Sequence, residues 1–218
     1  QIINIAYAAV PTRASVFDTA GNPWGVFVSG SYAYVADWAS GLQIINITNA
    51  AVPTFVGTLD TYSAHSLFVS GAYAYIGDTT DGLRIVNISN AAAPTLSGIF
   101  DTTGVACAVF VSGSYAYVAD YQSGLQIINV ANAALPTRTS TFDTPGLPEE
   151  GVFVSGNYAF VGDYYHGLQI INISNPASPV LAPPSQAVTQ ISIGVSNSTA
   201  QFYYYDEAPG TYTISAAK

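Results

Sequence analysis

The 218-residue chain carries 4 basic and 13 acidic residues, a net charge of −9, with only 8% charged residues in all. The scarcity of Lys and Arg excludes the basic footprint that nucleic-acid binding requires. Apolar runs of about eight residues, broken by Gly, Ser, Asn or Asp, are far too short for a helical membrane span.

The chain opens with Gln1-Ile2-Ile3-Asn4-Ile5, a segment it writes again from Leu42, Leu83, Leu125 and Leu168 as LQIINI, LRIVNI, LQIINV and LQIINI. Residue 1 therefore falls inside a structural unit, and residues 1–19 supply only the last two strands of one. Methionine is absent even at position 1, so a leader is expected to have been removed or left out. From Gly25 the repeat is complete. Units starting at Gly25, Ser66, Ala108 and Gly151 follow one another at 41, 42 and 43 residues, the spacing of four-stranded propeller blades.

Each unit reads as four strands. In the first unit Val26-Phe27-Val28 leads to Ser29-Gly30-Ser31-Tyr32, where Gly at the first central position favours a type II′ hairpin. Tyr32-Ala33-Tyr34-Val35 is the second strand and stops at Asp37. A turn closing on Gly41 opens the third strand, Leu42 to Ile47. Pro53-Thr54 begins the fourth, because proline at the start of an outer strand loses no ladder bond. The last unit ends in a Pro-rich fourth strand over Pro179 to Pro184, and no segment shows a helical period.

These motifs resemble the LVIVD repeat, a propeller-forming repeat of bacterial and archaeal surface proteins. The resemblance rests on Leu-Gln-Ile-Ile-Asn-Ile, preceded by Tyr-Ala-Tyr-Val-Ala-Asp and followed by Ser-Asn-Pro-Ala-Ser-Pro at 174–179. It implies an all-β fold: a five-bladed β-propeller of four-stranded repeats of about 42 residues, spanning 1–182 with units at 1–19, 25–61, 66–102, 108–144 and 151–182. It implies little about chemistry. Where the family has Asp at the end of the third strand, this chain has Asn4, Asn46, Asn87, Asn129 and Asn172.

Strand counting leaves one blade without its two inner strands, a gap that would expose backbone and core. Residues 183–218, a Pro-rich spacer and a β tail, are the remaining material, with strands expected near Thr189 to Ser196, Gln201 to Asp206 and Thr211 to Ala216. If the tail returns to the open blade, the ring closes on itself. If it reaches the next copy, the contact is head-to-tail and generates a filament. Assembly residues on that reading are Gln1, Ile2, Ile3, Asn4 and Ile5 on one side and Phe202, Tyr204, Tyr212 and Ile214 on the other.

Asn46-Ile-Thr, Asn87-Ile-Ser, Asn172-Ile-Ser and Asn197-Ser-Thr match the N-glycosylation acceptor. The bland alternative is that Asn closes the strand and caps a turn. Asp37, Asp78, Asp120 and Asp163 recur after the second strand, and Asp18, Asp60, Asp101 and Asp143 after the fourth. They could gather Ca²⁺, which wants several oxygen ligands, but Asx turns explain them without a metal and no cofactor is expected.

Three residues before the repeated Phe stand Trp24, His65, Cys107 and Glu150, which a propeller would bring to the channel mouth. A Cys–His pair there could act as nucleophile and base, or His65, Cys107 and Glu150 could hold a metal. Channel packing is the favoured reading, since no orienting third group accompanies them. Turn aromatics such as Trp38 and Tyr121, with His166, could bind a sugar or a partner. The expectation is a non-catalytic extracellular or cell-surface structural protein, a glycosylated filament subunit whose partners are copies of itself. The alternatives are a self-closed module binding carbohydrate or protein, and an enzyme at the channel mouth.

Overall fold

The computed structural model describes residues 1–7, 9–19, 21–146 and 151–182. All regular structure among them is β, and no helix is long and apolar enough to cross a membrane. Eighteen strands form five antiparallel sheets. The first is a pair, β1 (Ile2–Asn4) with β2 (Thr12–Ser15). Four-stranded meanders follow: β3 (Gly25–Ser29) to β6 (Thr54–Leu59), β7 (Ala64–Ser70) to β10 (Thr95–Phe100), β11 (Ala106–Ser112) to β14 (Thr137–Phe142), and β15 (Gly151–Ser155) to β18 (Val180–Leu181). We call these blades one to four.

Local chemistry sets each meander. Gly30, Gly71, Gly113 and Gly156 all have φ between 56° and 58°, while the residue after each keeps a negative φ. A positive φ at the first central residue alone is the type II′ condition, and it matches the right-handed twist of the flanking strands. The fourth strands of blades one, two and three each carry one extra residue. In blade one Ile45 faces Phe55 while Ile44 faces Gly57, and the same bulge recurs in blades two and three.

The blades pack through their faces. Three apolar cores lie between blades one and two, two and three, and three and four. The inner strands β3, β7, β11 and β15 stand side by side, and their phenylalanines form a continuous file: Phe27 to Phe68 at 5.0 Å, Phe68 to Phe110 at 4.7 Å, Phe110 to Phe153 at 5.0 Å between ring centroids.

The β1–β2 pair is the outer half of a fifth blade. Its register, Asn4 facing Thr12, Ile3 facing Arg13 and a bulge before Ile2, repeats the third-to-fourth-strand register of blade one. The Ser15 hydroxyl donates to Ala50 O of blade one at 2.6 Å, as Ser140 in blade three donates to Pro176 O of blade four at 2.5 Å. Together the five sheets make a five-bladed β-propeller, one blade of which has only its outer strands among the described residues. The fourth strand of blade four is shorter than its sequence suggests, pairing only through Val180 and Leu181.

Candidate functional site

Two features of this frame bear on function. The first is the face left bare on each side of the incomplete blade. Leu42, Leu83 and Leu125 are fully buried, yet Leu168 at the same place in blade four is 64% exposed. Val69, Val111 and Val154 are buried, whereas Val28 in blade one is 57% exposed. Phe153, at the end of the aromatic file, and Val26 are exposed as well. Identical residues at identical places in the repeat differ only in whether a neighbouring blade covers them, so these faces are the walls of one gap. Of the sequence-predicted assembly residues, Gln1 to Ile5 lie on or beside β1, with Ile3 and Ile5 exposed. Phe202, Tyr204, Tyr212 and Ile214 lie outside the described residues.

The second feature is a basin at one end of the inner strands. Trp24 stacks on His65 at 5.0 Å with 25° between planes, and Trp38 stands 6.0 Å from Trp24 and edge-on to His65 at 6.4 Å. His65 Nδ1 lies 2.8 Å from the main-chain oxygen of Cys107. Trp24, His65 and Cys107 line one open cavity of about 660 Å³ together with Val105, Ala108 and Tyr121. Glu150 lies outside the described residues.

Two local devices put those side chains there. His65 and Cys107 are the extra residues of β-bulges: Ala64 faces Asp78 while Ser66 faces Gly77, and Ala106 faces Asp120 while Ala108 faces Ala119. A bulge re-aims the side chain it inserts. Trp38 has φ of 42°, a conformation that bulky side chains rarely adopt. It is held by reciprocal main-chain bonds with Ala64 of blade two, Trp38 N to Ala64 O at 3.0 Å and Ala64 N to Trp38 O at 3.2 Å. The four positions before the repeated Phe can be found from the repeat alone, but the bulges and the bridge from Trp38 to the next blade leave no sequence pattern.

Several of the recurring acids have local partners, whereas both carboxylate oxygens of buried Asp37 lack a hydrogen-bond partner among the described residues. Asp78 accepts from the N–H groups of Ser63, Thr80 and Asp81 and from the Thr80 hydroxyl. Asp163 accepts from Gly146, Tyr165 and His166 N–H groups. A Cβ on Gly104 or Gly146 would fall inside 2 Å of the Asp120 or Asp163 carboxylate, so glycine there lets the connector between blades close over the acid. Burial pushes the Asp120 carboxyl above its ordinary value. The Thr102 hydroxyl and the N–H groups of Gln122, Val105 and Gly104 pull the other way. They fall short of full hydrogen-bond geometry, which is why desolvation prevails. Asp60 and Asp101 close Asx turns onto Tyr62 and Thr103.

The sequon asparagines make turns too. Oδ1 of Asn46, Asn87 and Asn172 accepts from the N–H two residues on at 2.8 to 2.9 Å. Asn4 and Asn129, which lack an acceptor hydroxyl, make the same turn, so the turn explains the asparagine whether or not a glycan is attached. Asn197 lies outside the described residues.

Radial four-stranded meanders around an aromatic file define a β-propeller. Within that class the chain belongs to the LVIVD repeat family, whose model matches residues 20–61, 63–102, 103–144 and 150–183. No curated protein matches the sequence. Among solved structures it resembles the computationally designed Ika4 protein at 9% identity and TM-score 0.53, covering 72% of this chain and 95% of that one. It also resembles a protein of Bacteroides uniformis described as a 6-phosphogluconolactonase, at 15% identity and TM-score 0.63. A third resemblance is to AztD from Citrobacter koseri, at 15% identity and TM-score 0.53. The chain spans about half of each of the last two, 52% and 46%, over 73% of its own length. At these identities the likeness concerns the fold alone.

Proposed function

We propose that the protein is a non-catalytic extracellular structural protein, a filament subunit whose open blade is completed by β-strands from the C-terminal segment of the next copy. The observation that carries this reading is the gap itself. Val26, Val28, Phe153 and Leu168 are exposed where their counterparts inside the array are buried or half-buried. The edge of β1 that would meet a second strand has no strand partner among the described residues. Unpaired strand edges beside apolar walls are templates for strand addition, and a head-to-tail contact of that kind propagates. Glycans at Asn46, Asn87 and Asn172 would sit at the ends of third strands and, with one at Asn197, solubilise such a polymer. The non-catalytic part follows from that reading, in which the working surface is the open blade and not the basin at Trp24, His65 and Cys107.

Negative-stain electron microscopy of the protein beside a version ending at Pro184 tests the reading. Filaments in the first sample and none in the second are the expected result. Single closed discs in the first sample would overturn it and place completion of the blade within one polypeptide.

A further inference from the structure

We infer that the basin lined by Trp24, His65 and Tyr121, with Trp38 packed against the first two, is a binding site for a neutral carbohydrate, with one pyranose ring lying on the Trp24 indole. The inference draws on residues of blades one to three, and Val26 belongs both to this cavity and to the bare face of blade one.

Three observations point to this ligand. The first is the aromatic surface: Trp24 is 62% exposed although it is one of the largest apolar side chains, and its neighbours are rings on two sides. A broad apolar plane left in water beside polar groups suits a ligand with one C–H face and hydroxyl edges. The second is the polar handle. A carbonyl oxygen only accepts, so the 2.8 Å contact to Cys107 O places the proton on Nδ1 of His65. Neutral His65 then offers Nε2 as an acceptor beside the Trp24 ring, which suits a hydroxyl donor. The third is charge. No Lys, Arg, Asp or Glu lines the cavity among the described residues, and the chain as a whole is at −9. Phosphorylated, sulfated and uronic acid ligands find no counter-charge there.

Backbone strain makes the arrangement specific to this place. The turn residue after the second-strand Asp is Trp38 in blade one, and Thr79 and Tyr121 in blades two and three. Thr79 and Tyr121 donate their N–H to Ser63 O and Val105 O, each on the connector leading into its own blade. Trp38 differs from both in its positive φ, and it bonds across to Ala64 of the next blade. Such strain persists where surrounding structure enforces it and collects at ligand sites. The result is an indole turned toward Trp24 and His65. A cavity of about 660 Å³ lies within the range of small-ligand sites and admits a disaccharide.

The chain holds two tryptophans, Trp24 and Trp38, beside 16 tyrosines, so emission excited selectively in tryptophan reports on this site. The full chain is titrated with cellobiose, maltose and diacetylchitobiose, and with adenosine and polygalacturonate as counter-probes. Saturable change in emission with at least one neutral disaccharide at millimolar concentration or below is expected, with none from polygalacturonate. Trp24→Ala and His65→Phe should weaken that binding at least tenfold. His65→Gln, which keeps a hydrogen-bonding group, should stay closer to the parent. Should either weakened variant fail to fold, protection of the parent's tryptophans from acrylamide by the same sugar replaces it. Emission indifferent to every neutral sugar up to about 10 mM, the floor of weak specific binding, overturns the proposal. So does a response to adenosine alone, or a sugar response that Trp24→Ala and His65→Phe leave intact.

Discussion

Arg84 takes the place that the other complete blades give to Gln43, Gln126 and Gln169. Each glutamine donates Nε2 to the carbonyl of the residue three positions earlier, Ser40, Ser123 or His166. In blade two that earlier residue is Asp81, and the buried guanidinium pairs with it, lies 3.6 Å from Asp78 and caps the Tyr62 ring at 5.6 Å. The two departures from the sibling blades are one device, a charge pair replacing a neutral hydrogen bond. Removing one partner of a buried pair strands the other, which costs about 3 kcal/mol. Arg84→Ala is therefore expected to lower unfolding stability by about that amount, and Asp81→Ser somewhat less because Asp81 is partly exposed. Adding Arg84→Gln to Asp81→Ser, which restores the sibling pattern, should recover most of the loss. Urea unfolding of the parent and the three variants reads this directly, and a double variant less stable than Asp81→Ser alone would refute the coupling.

Between blades the spacing is set by the outer strands. At one position four of the five outer strands carry Ser15, Gly57, Gly98 and Ser140. A Cβ on Gly57 or Gly98 would come within 2.3 Å of Ala91 O or Ala133 O of the following blade. Ser15 and Ser140 occupy the same place and turn the approach into a hydrogen bond. Gly98→Ser is expected to cost about 1 kcal/mol, because its Cβ must first push back Ala133 O, with part of the loss returned by a hydroxyl bond to that oxygen. Gly98→Val has no such bond and must push the blades apart, at about 1 to 3 kcal/mol, measured as a shift in denaturation midpoint. Equal losses for Ser and Val would show that volume alone matters there. Strand identity and blade order were legible in the sequence because period-2 patterning and turn glycines are local signals. The bulges at His65 and Cys107 were not, since an inserted residue looks like any other strand residue. Nor was the reach of Trp38 to Ala64, which depends on where the neighbouring blade lies. Trp24, His65 and Cys107 could be picked out because they are where the repeat stops repeating; their common basin follows from those two unread devices.

The array as a whole is asymmetric where its sequence is periodic, and the file of phenylalanines measures the asymmetry. Phe68 and Phe110 each have a ring on both sides, whereas Phe27 and Phe153 each have one such neighbour, and Phe153 is 58% exposed. Truncating an interior ring removes contacts on two faces and leaves a cavity that the flanking sheets cannot close. Truncating the terminal ring removes mostly solvated surface. In dilute, unassembled protein Phe110→Ala should therefore cost about 2 kcal/mol or more, and Phe153→Ala well under half of that. Completion of the open blade would place a strand against Phe153 and cover Val26, Val28 and Leu168, so the terminal ring becomes an interior one. The cost of Phe153→Ala should then rise toward that of Phe110→Ala as concentration drives assembly, while Phe110→Ala stays constant. Thermal unfolding of both variants across a concentration series separates the cases. A Phe153→Ala penalty that is already large in the most dilute sample would mean that the gap is filled within each molecule, and a penalty that stays small at every concentration would mean that nothing docks between blades four and one.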